Sequence, residues 1–445
     1  MFQAFFQAFF SGLIQHGALT VHVGQKTWRF GEIEPRPDMD VVVRLKDGWT
    51  GVRLALNPWL EFGEAWMNGD LLVENGNAWS LLHLLGVNLQ ARPRPRRITR
   101  LTRVLKRLLP GTSRAASRRN VAHHYDLSDR LYRLFLDKDM QYSCAYFERP
   151  DMGLDAAQTA KKQHIAAKLN LKPGMSVLDI GCGWGGMALH LARAHNAEVT
   201  GITLSQEQFD VAHARAYAAH LEGQAAFEIR DYREVAGQFD RIVSVGMFEH
   251  VGPANFDVYF RTVADKLKDD GVALIHTIGR RGEFGGTNQW VNKYIFPGGY
   301  IPSLSEITRA AENAGLWITD VESLRLHYAE TLKCWRERFM AHRDEVRGLY
   351  DERFCRMWEF YLAASEMSFR HGDLMVYQVQ VARRVDALPI VRDYMMQPSA
   401  EPSVIDALKI RAGKAKKGVP GLAQPVRQGK TRQEQRDGTP GIETR

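Results

Sequence analysis

The sequence has 445 residues and four cysteines. Cys144, Cys182, Cys334 and Cys355 are scattered without a C-x-x-C pair. That excludes a zinc ribbon or a disulfide-stapled scaffold and fits a reducing cytosol. No run of about 20 uncharged apolar residues is present, so no transmembrane helix is expected. The opening Met1-Phe-Gln-Ala-Phe-Phe lacks the basic stretch and small-residue cleavage site of a signal peptide. Its phenylalanines suggest an interfacial or packing helix. No glycine loop leads into Gly-Lys-Ser/Thr, which removes a Walker-type nucleotide site. What the chain does have is a 45% hydrophobic content and a net charge of +8. The first is enough for two or more domains with a substantial core.

Four regions are expected. Residues 1–90 read as a small α+β domain: Ala18–Phe30 and Val41–Leu56 alternate like strands, broken at Asp47-Gly48. Trp59–Leu72 reads as a short helix and turn, Trp79–Leu85 as another helical piece, and Trp59 and Trp66 as core residues. Residues 91–119 form a basic linker, which from Arg92 through Lys106 to Arg119 contains no acid. Such a segment is either a solvated connection or a surface for an anionic partner, nucleic acid or acidic lipid; basic residues near an anionic bilayer contribute about 1 kcal/mol each. Residues 120–388 carry the chemistry. Residues 389–445, rich in Pro, Gly, Lys and Arg, are expected to be disordered.

Val177-Leu-Asp-Ile-Gly-Cys-Gly-Trp-Gly-Gly186 reads as a buried strand running into a glycine loop, and Met187 opens a helix whose N-terminus points back at that loop. Strand, loop and helix in this order describe a nucleotide-type site at the carboxyl end of a sheet. A dinucleotide fingerprint needs a later third glycine and an acid about twenty residues on. Here the next strand, Glu198-Val-Thr-Gly-Ile, ends in Thr203. The loop suits a compact nucleoside joined to an amino acid, S-adenosylmethionine (SAM). Thr203, Ser205 and Gln208 then stand where the ribose and methionine end would lie. A third strand ends in Asp231-Tyr232, whose carboxylate and ring suit an adenine amino group and face. The fourth strand, from Arg241, ends in Glu249-His250, and the fifth, Val272–Gly279, carries His276 in an apolar run. Glu249 and His276 are thereby expected at one crevice. Trp317–Leu326 reads as the last strand and Thr331–Phe369 as largely helical. His123, His124 and Asp126 lack a partner cluster, and no metal site is expected.

These segments form an ordered series. His-His-Tyr-Asp at 123–126, Tyr-Ser-Cys at 142–144, Leu-Asp-Ile-Gly-Cys-Gly-Trp-Gly at 178–185 and Gly-Ile-Thr-Leu-Ser at 201–205 are followed by Phe-Glu-His-Val-Gly at 248–252. His-Thr-Ile-Gly at 276–279, Lys-Tyr-Ile-Phe-Pro-Gly-Gly at 293–299 and His-Tyr at 327–328 complete it. The series resembles the cyclopropane-fatty-acyl-phospholipid synthase family, related to the mycolic acid cyclopropane synthases, strongly over residues 115–385. The resemblance implies an α/β fold: a Rossmann-like class I SAM-dependent methyltransferase domain with a mainly seven-stranded sheet, a helical acyl-binding cover and a small lipid-contacting N-terminal α+β domain. It implies methyl transfer from SAM to a cis double bond of a phospholipid acyl chain, then closure of a methylene bridge, with bound bicarbonate as the base. The implied bicarbonate pocket is Cys144 and Ile278 through backbone groups, with Glu249, His276 and Tyr328 through side chains. The implied SAM site is Tyr142, Ser143, Asp179, Gly181, Gly183, Thr203, Ser205, Gln208, Asp231 and Tyr232. It also implies unsaturated phospholipids at the membrane surface as partners, a homodimer, and a cytoplasmic location on the inner face of the cell membrane. No nucleic acid is expected.

A carbocation on the acyl chain needs electron-rich walls. Tyr142, Tyr146, Phe147, Phe248, Trp290, Tyr294 and Phe296 are the candidates, with a core role as the alternative. Some relatives carry a cysteine where this chain reads Tyr361-Leu-Ala-Ala-Ser365, which speaks against a covalent cysteine mechanism. The alternatives are a SAM-dependent fatty-acyl C-methyltransferase giving a methyl or methylene branch, a nucleic-acid-binding methyltransferase using the basic linker, and a non-catalytic lipid-binding protein.

Overall fold

The glycine loop follows an interior strand of a seven-stranded sheet. The computed structural model describes residues 10–91, 127–282 and 288–396. Strands β1 (Ala18–Val23), β2 (Lys26–Gly31), β3 (Asp40–Leu45) and β4 (Leu71–Val73) form an N-terminal sheet in the order β2-β1-β3-β4. Helices α1 (Gly48–Leu56), α2 (Pro58–Asn68) and α3 (Ala78–Gln90) accompany it. Helix α4 (Leu154–Lys168) then leads into β5 (Ser176–Ile180), α5 (Gly186–His195), β6 (Glu198–Thr203), α6 (Gln206–Ala218), β7 (Ala225–Ile229), β8 (Phe239–Val245) and β9 (Leu267–Arg280). Strand β10 (Trp317–Ser323) and helices α7 (His327–Ala341) and α8 (Glu352–Arg370) precede β11 (Leu374–Ala382).

The large sheet has the order β10-β11-β9-β8-β5-β6-β7. Strands β5 to β9 pair in parallel, whereas β11 runs antiparallel between β9 and β10. The chain goes from β5 to β6 on one side and later returns to β8 on the other. Their carboxyl ends therefore open a crevice where the strand order reverses, the place where such sheets bind ligands. The fold class read from the sequence is the one observed.

Several local expectations fail. Gly48–Leu56 is a helix, not a continued strand. Asp47 caps it by accepting from the Thr50 amide at 2.8 Å, and Thr50, Gly51 and Leu54 form its buried face at helical spacing. The apparent alternation ended on Leu56, which is 69% exposed. Trp66 is core as expected, but Trp59 is 62% exposed. Trp317–Ser323 is not the last strand, because β11 follows. Gln378 and Gln380 interrupt its apolar run, yet both are fully buried. Gln378 meets His276 Nδ1 at 3.2 Å, and Gln380 donates to the Lys168 carbonyl. The expected boundary at residue 388 also moves, since Met395 is buried, Arg392 pairs with Asp320, and the Tyr394 hydroxyl accepts from Gln380 at 3.1 Å. The basic stretch 92–119, the segment holding His123, His124 and Asp126, and residues 397–445 lie outside the described residues.

The N-terminal unit shares one apolar core with the helical cover. Leu84 and Trp66 belong to the same cluster as Trp335, Trp358 and Phe360. Trp290 seals the junction: its ring lies over Gly63 of α2, meets Phe360 of α8 edge-on at 4.9 Å, and donates to Met67 sulfur at 3.2 Å.

Candidate active site

Two glycines shape the loop at the crevice. Gly181, φ +81°, lies where a Cβ would fall 2.9 Å from Met247; Gly185, φ +82°, is packed just as tightly against the Phe227 ring. Both combine a left-handed backbone with a close neighbour, which only glycine tolerates. Helix α5 starts immediately after this turn, with its first N–H groups facing back toward the loop.

The cavity above the loop contains about 1140 Å³ of space, part of it open to solvent. Of the residues expected to hold SAM, Tyr142, Ser143, Asp179, Gly181, Gly183, Thr203, Gln208, Asp231 and Tyr232 line it. Ser205 does not. Its hydroxyl accepts from the Gln208 amide at 3.3 Å and caps α6, so it supports the site from outside. The Thr203 hydroxyl donates to Gln208 Oε1 at 2.8 Å, which fixes the rotation of that amide. Asp179 is wholly buried; burial raises its pKa to about 7, partly offset by Lys161, and its Oδ2 has no protein partner. An acceptor-ready carboxyl on the cavity floor suits the ammonium of an amino acid.

Asp231 is less available than the sequence implied. Arg233 grips it with Nε at 2.7 Å and Nη2 at 2.6 Å. The same guanidinium stands 5.3 Å from the Tyr232 ring centre. This fork pins the two residues at the end of β7. Arg233 lines the cavity, as do Gln141, Trp184, Arg230, Met247, His250 and Asn255, none of which was chosen from sequence. His250 is held neutral, because burial pushes its pKa down to about 4. Its place in Phe-Glu-His-Val-Gly could have marked it; nothing local marked Arg233.

The other expected set, Cys144, Glu249, His276, Ile278 and Tyr328, is absent from the cavity lining. Cys144, Ile278 and Tyr328 pack in the apolar cluster that Tyr142 also joins. Glu249 sits on the turn after β8 and accepts from the Ile278 amide at 2.6 Å, leaving Oε2 buried without a partner. Burial raises its pKa to about 7 against that amide bond. His276 is two residues earlier on β9, so its side chain shares a face with that of Ile278. Its Nε2 is likewise buried without a partner, and burial together with the cations Lys161 and Lys168 holds the ring neutral. No hydrogen bond joins Glu249 to His276. Glu249 acts on the β9 backbone, whereas His276 is fixed by β11 through Gln378.

The candidate aromatic walls separate. The Tyr142 hydroxyl meets that of Tyr361 at 2.8 Å, and its ring stacks on Trp335 at 5.1 Å. Tyr328 approaches Trp335 edge-on at 5.8 Å, and Phe296 approaches Tyr361 at 6.0 Å. Phe248 instead belongs to a different core, stacked on Phe256. Tyr146 lies between His164 and His327, with Phe147 against the same His327. Trp290 and Tyr294 are occupied at the N-terminal junction, where the Tyr294 hydroxyl donates to Glu64 at 2.9 Å.

The chain is 46% identical over 264 residues to the cyclopropane-fatty-acyl-phospholipid synthase of Escherichia coli K12, covering 59% of this chain and 67% of that protein. It is 42% identical over 287 residues to the tuberculostearic acid methyltransferase UfaA1 of Mycobacterium tuberculosis, covering 62% and 67%. Among solved structures, that of mycolic acid cyclopropane synthase CmaA1, complexed with SAH and CTAB, matches with a TM-score of 0.57 and 35% identity, covering 59% of this chain and 97% of that one. Fold, crevice and relatives together define a SAM-dependent methyltransferase. The mycolic acid cyclopropane synthetase family model matches residues 112–379, more than half of the sequence. The chain belongs to that family.

Proposed function

We propose that the protein is a cyclopropane-fatty-acyl-phospholipid synthase, which adds the SAM methyl carbon across a cis double bond of an acyl chain at a membrane surface. The observation that carries this reading is the apposition of two environments on one short segment. Tyr142 and Ser143 line the cavity that also presents the polar groups of Asp179, Gln208 and Asp231, while Tyr142 and Cys144 belong to the apolar cluster beneath the helical cover. A charged sulfonium and a hydrocarbon could be presented to each other only across such a boundary.

An alkene is a weak, uncharged nucleophile, so holding its π-face on the methyl carbon must supply much of the acceleration, on the order of 7–11 kcal/mol. In the transfer the C–S bond breaks and the alkene pair forms the new C–C bond. The adjacent carbon becomes cationic, and loss of a proton from the transferred methyl closes the ring. Tyr142, Tyr361, Trp335 and Phe296 form the aromatic group best placed beside that cation, each worth ~0.5–2 kcal/mol as a facing ring.

The orphaned polar atoms of Glu249 and His276 suit a small hydroxylated anion such as bicarbonate. That anion would supply a base small enough to enter an apolar pocket. With Gln378 Nε2 as donor to Nδ1, His276 carries its proton on Nε2 and presents a donor. Ionised Glu249 presents Oε2 as an acceptor for a hydroxyl. The two residues thus offer opposite hydrogen-bonding roles.

Among the described residues no helix is long and apolar enough to cross a membrane. Lipid access therefore falls to surface features, and the exposed Trp49 and Trp59 of the N-terminal unit suit the bilayer interface. A second reading, transfer that leaves a methyl branch, draws on the similarity to a protein named as a methyltransferase. It shares every step up to the cation. Incubating the protein with methyl-labelled SAM and unsaturated phospholipid vesicles, then analysing the released fatty acids, separates the two. A labelled ring supports the synthase, a labelled branch the second reading, and unlabelled lipid rejects both.

A further inference from the structure

Helix α4 carries a lysine that no motif marked. Lys161 is fully buried, and its ammonium donates to Gln141 Oε1 at 2.6 Å and to Ser143 Oγ at 2.9 Å. One turn earlier, Gln158 Nε2 donates to the carbonyls of the same two residues, at 3.1 and 2.9 Å. The helix thus clamps both backbone and side chains of the segment that delivers Tyr142, Ser143 and Cys144.

The environment of the ammonium is unusual. Both hydrogen-bond acceptors are neutral. The charged or titratable groups around it are Asp137, Asp139, Lys162 and Cys144, with Asp179 across the cavity floor and His276 on β9. Asp139 is already paired with Lys162 and Arg215. Asp137 accepts from the Gln141 and Asp139 amides, at 2.8 and 3.0 Å. A buried cation held by neutral acceptors is costly unless it serves a nearby anion. Ser143 supplies the connection. With its oxygen accepting from Lys161, its hydroxyl proton is turned away from the ammonium and becomes available to the cavity that Ser143 lines.

We infer that Lys161 is a positioning residue that aims the Ser143 hydroxyl at the carboxylate of the methionine end of SAM. This rests on the reading of the cavity as the SAM site. Asp179, with Oδ2 directed to no protein group, is the complementary acceptor for the ammonium of the same amino acid. The two ends of an α-amino acid are thereby distinguished by a hydroxyl donor that Lys161 orients through a direct hydrogen bond and a carboxylate acceptor that it does not touch. Decarboxylated SAM, which lacks only the carboxylate, is the probe that isolates the first of these.

Affinities of the full-length protein for SAM and for decarboxylated SAM test the inference. The unaltered protein should prefer SAM by about tenfold or more, the scale of one charge-assisted hydrogen bond. Lys161→Met should remove most of that preference, with a much smaller loss of affinity for decarboxylated SAM through the Asp179 carboxyl. Ser143→Ala should give the same loss, and the double variant should add little to it. Equal weakening of both ligands by Lys161→Met would reduce the lysine to a structural role and overturn the inference. Should Lys161→Met fail to fold, the ratio in Ser143→Ala decides: a retained preference overturns the inference, and a lost one supports it. Failure of the unaltered protein to bind either ligand would reject the SAM cavity itself. Equal binding of both by the unaltered protein would reject only the carboxylate assignment.

Discussion

Glu249 has the most direct experimental consequence among the individual residues. Burial raises its pKa to about 7, so its carboxylate form accumulates as pH rises through neutrality. If ionised Oε2 is the acceptor in the base pocket, turnover at fixed bicarbonate concentration should rise with pH around that value. Glu249→Gln should lose this limb and about 10²-fold or more in kcat, the usual scale for a group serving proton transfer, with SAM affinity little changed. A variant retaining wild-type kcat and the same pH profile removes Glu249 from the chemistry. His276 should not contribute a second limb near neutrality, since burial and the Lys161 and Lys168 charges hold it neutral.

Packing between elements decides how the N-terminal unit meets the rest. Helices α2 and α3 lie against α8, and the contact depends on a residue without a side chain. A Cβ on Gly63 would stand 2.4 Å from the Trp290 indole. The ring is buried and packed edge-on against Phe360, so making room for a methyl group must disturb that packing. Gly63→Ala should therefore cost about 1–3 kcal/mol by overpacking, read as a lower denaturant midpoint. Unchanged stability would show that the junction is soft. The N-terminus of α1 offers a smaller test at the same scale. Asp47→Ala removes the acceptor for the Thr50 amide and should cost ~1 kcal/mol. A midpoint equal to wild type would mean that this turn contributes nothing to the measured transition.

For the molecule as a whole, two deletions separate fold from docking. Ending the chain after Met396 should leave folding and turnover intact. Ending it after Leu388 removes the Arg392–Asp320 pair, the Tyr394 contact with Gln380 and the buried Met395, and should lower the melting temperature. Equal melting temperatures for the two would place the functional end at Leu388 after all. Replacing the arginines and lysines of 92–119 by glutamine should weaken binding to anionic vesicles and make what remains less sensitive to added salt, while SAM affinity stays the same. Undiminished vesicle binding would dismiss the linker as a docking element.

The parallel sheet and its glycine loop were legible because local rules fix them: short apolar runs, glycines at left-handed turns and a helix directly after the loop. Most residues chosen for the cofactor line the crevice, since strand ends in such a sheet must converge there. Strand β11 was not legible, because Gln378 and Gln380 look like surface residues until His276, the Lys168 carbonyl and Tyr394 supply their hydrogen bonds. Lys161 was hidden in the same way within Lys161-Lys-Gln-His164, a stretch that reads as a solvated helix face. The sequence by itself determined the parallel strands and the glycine loop that open the crevice, since those follow from backbone conformation and chain direction. Only the tertiary structure decided which polar side chains are buried and what they hold. The cost of burying a charge or an amide depends on partners far away along the chain, and no local pattern records them.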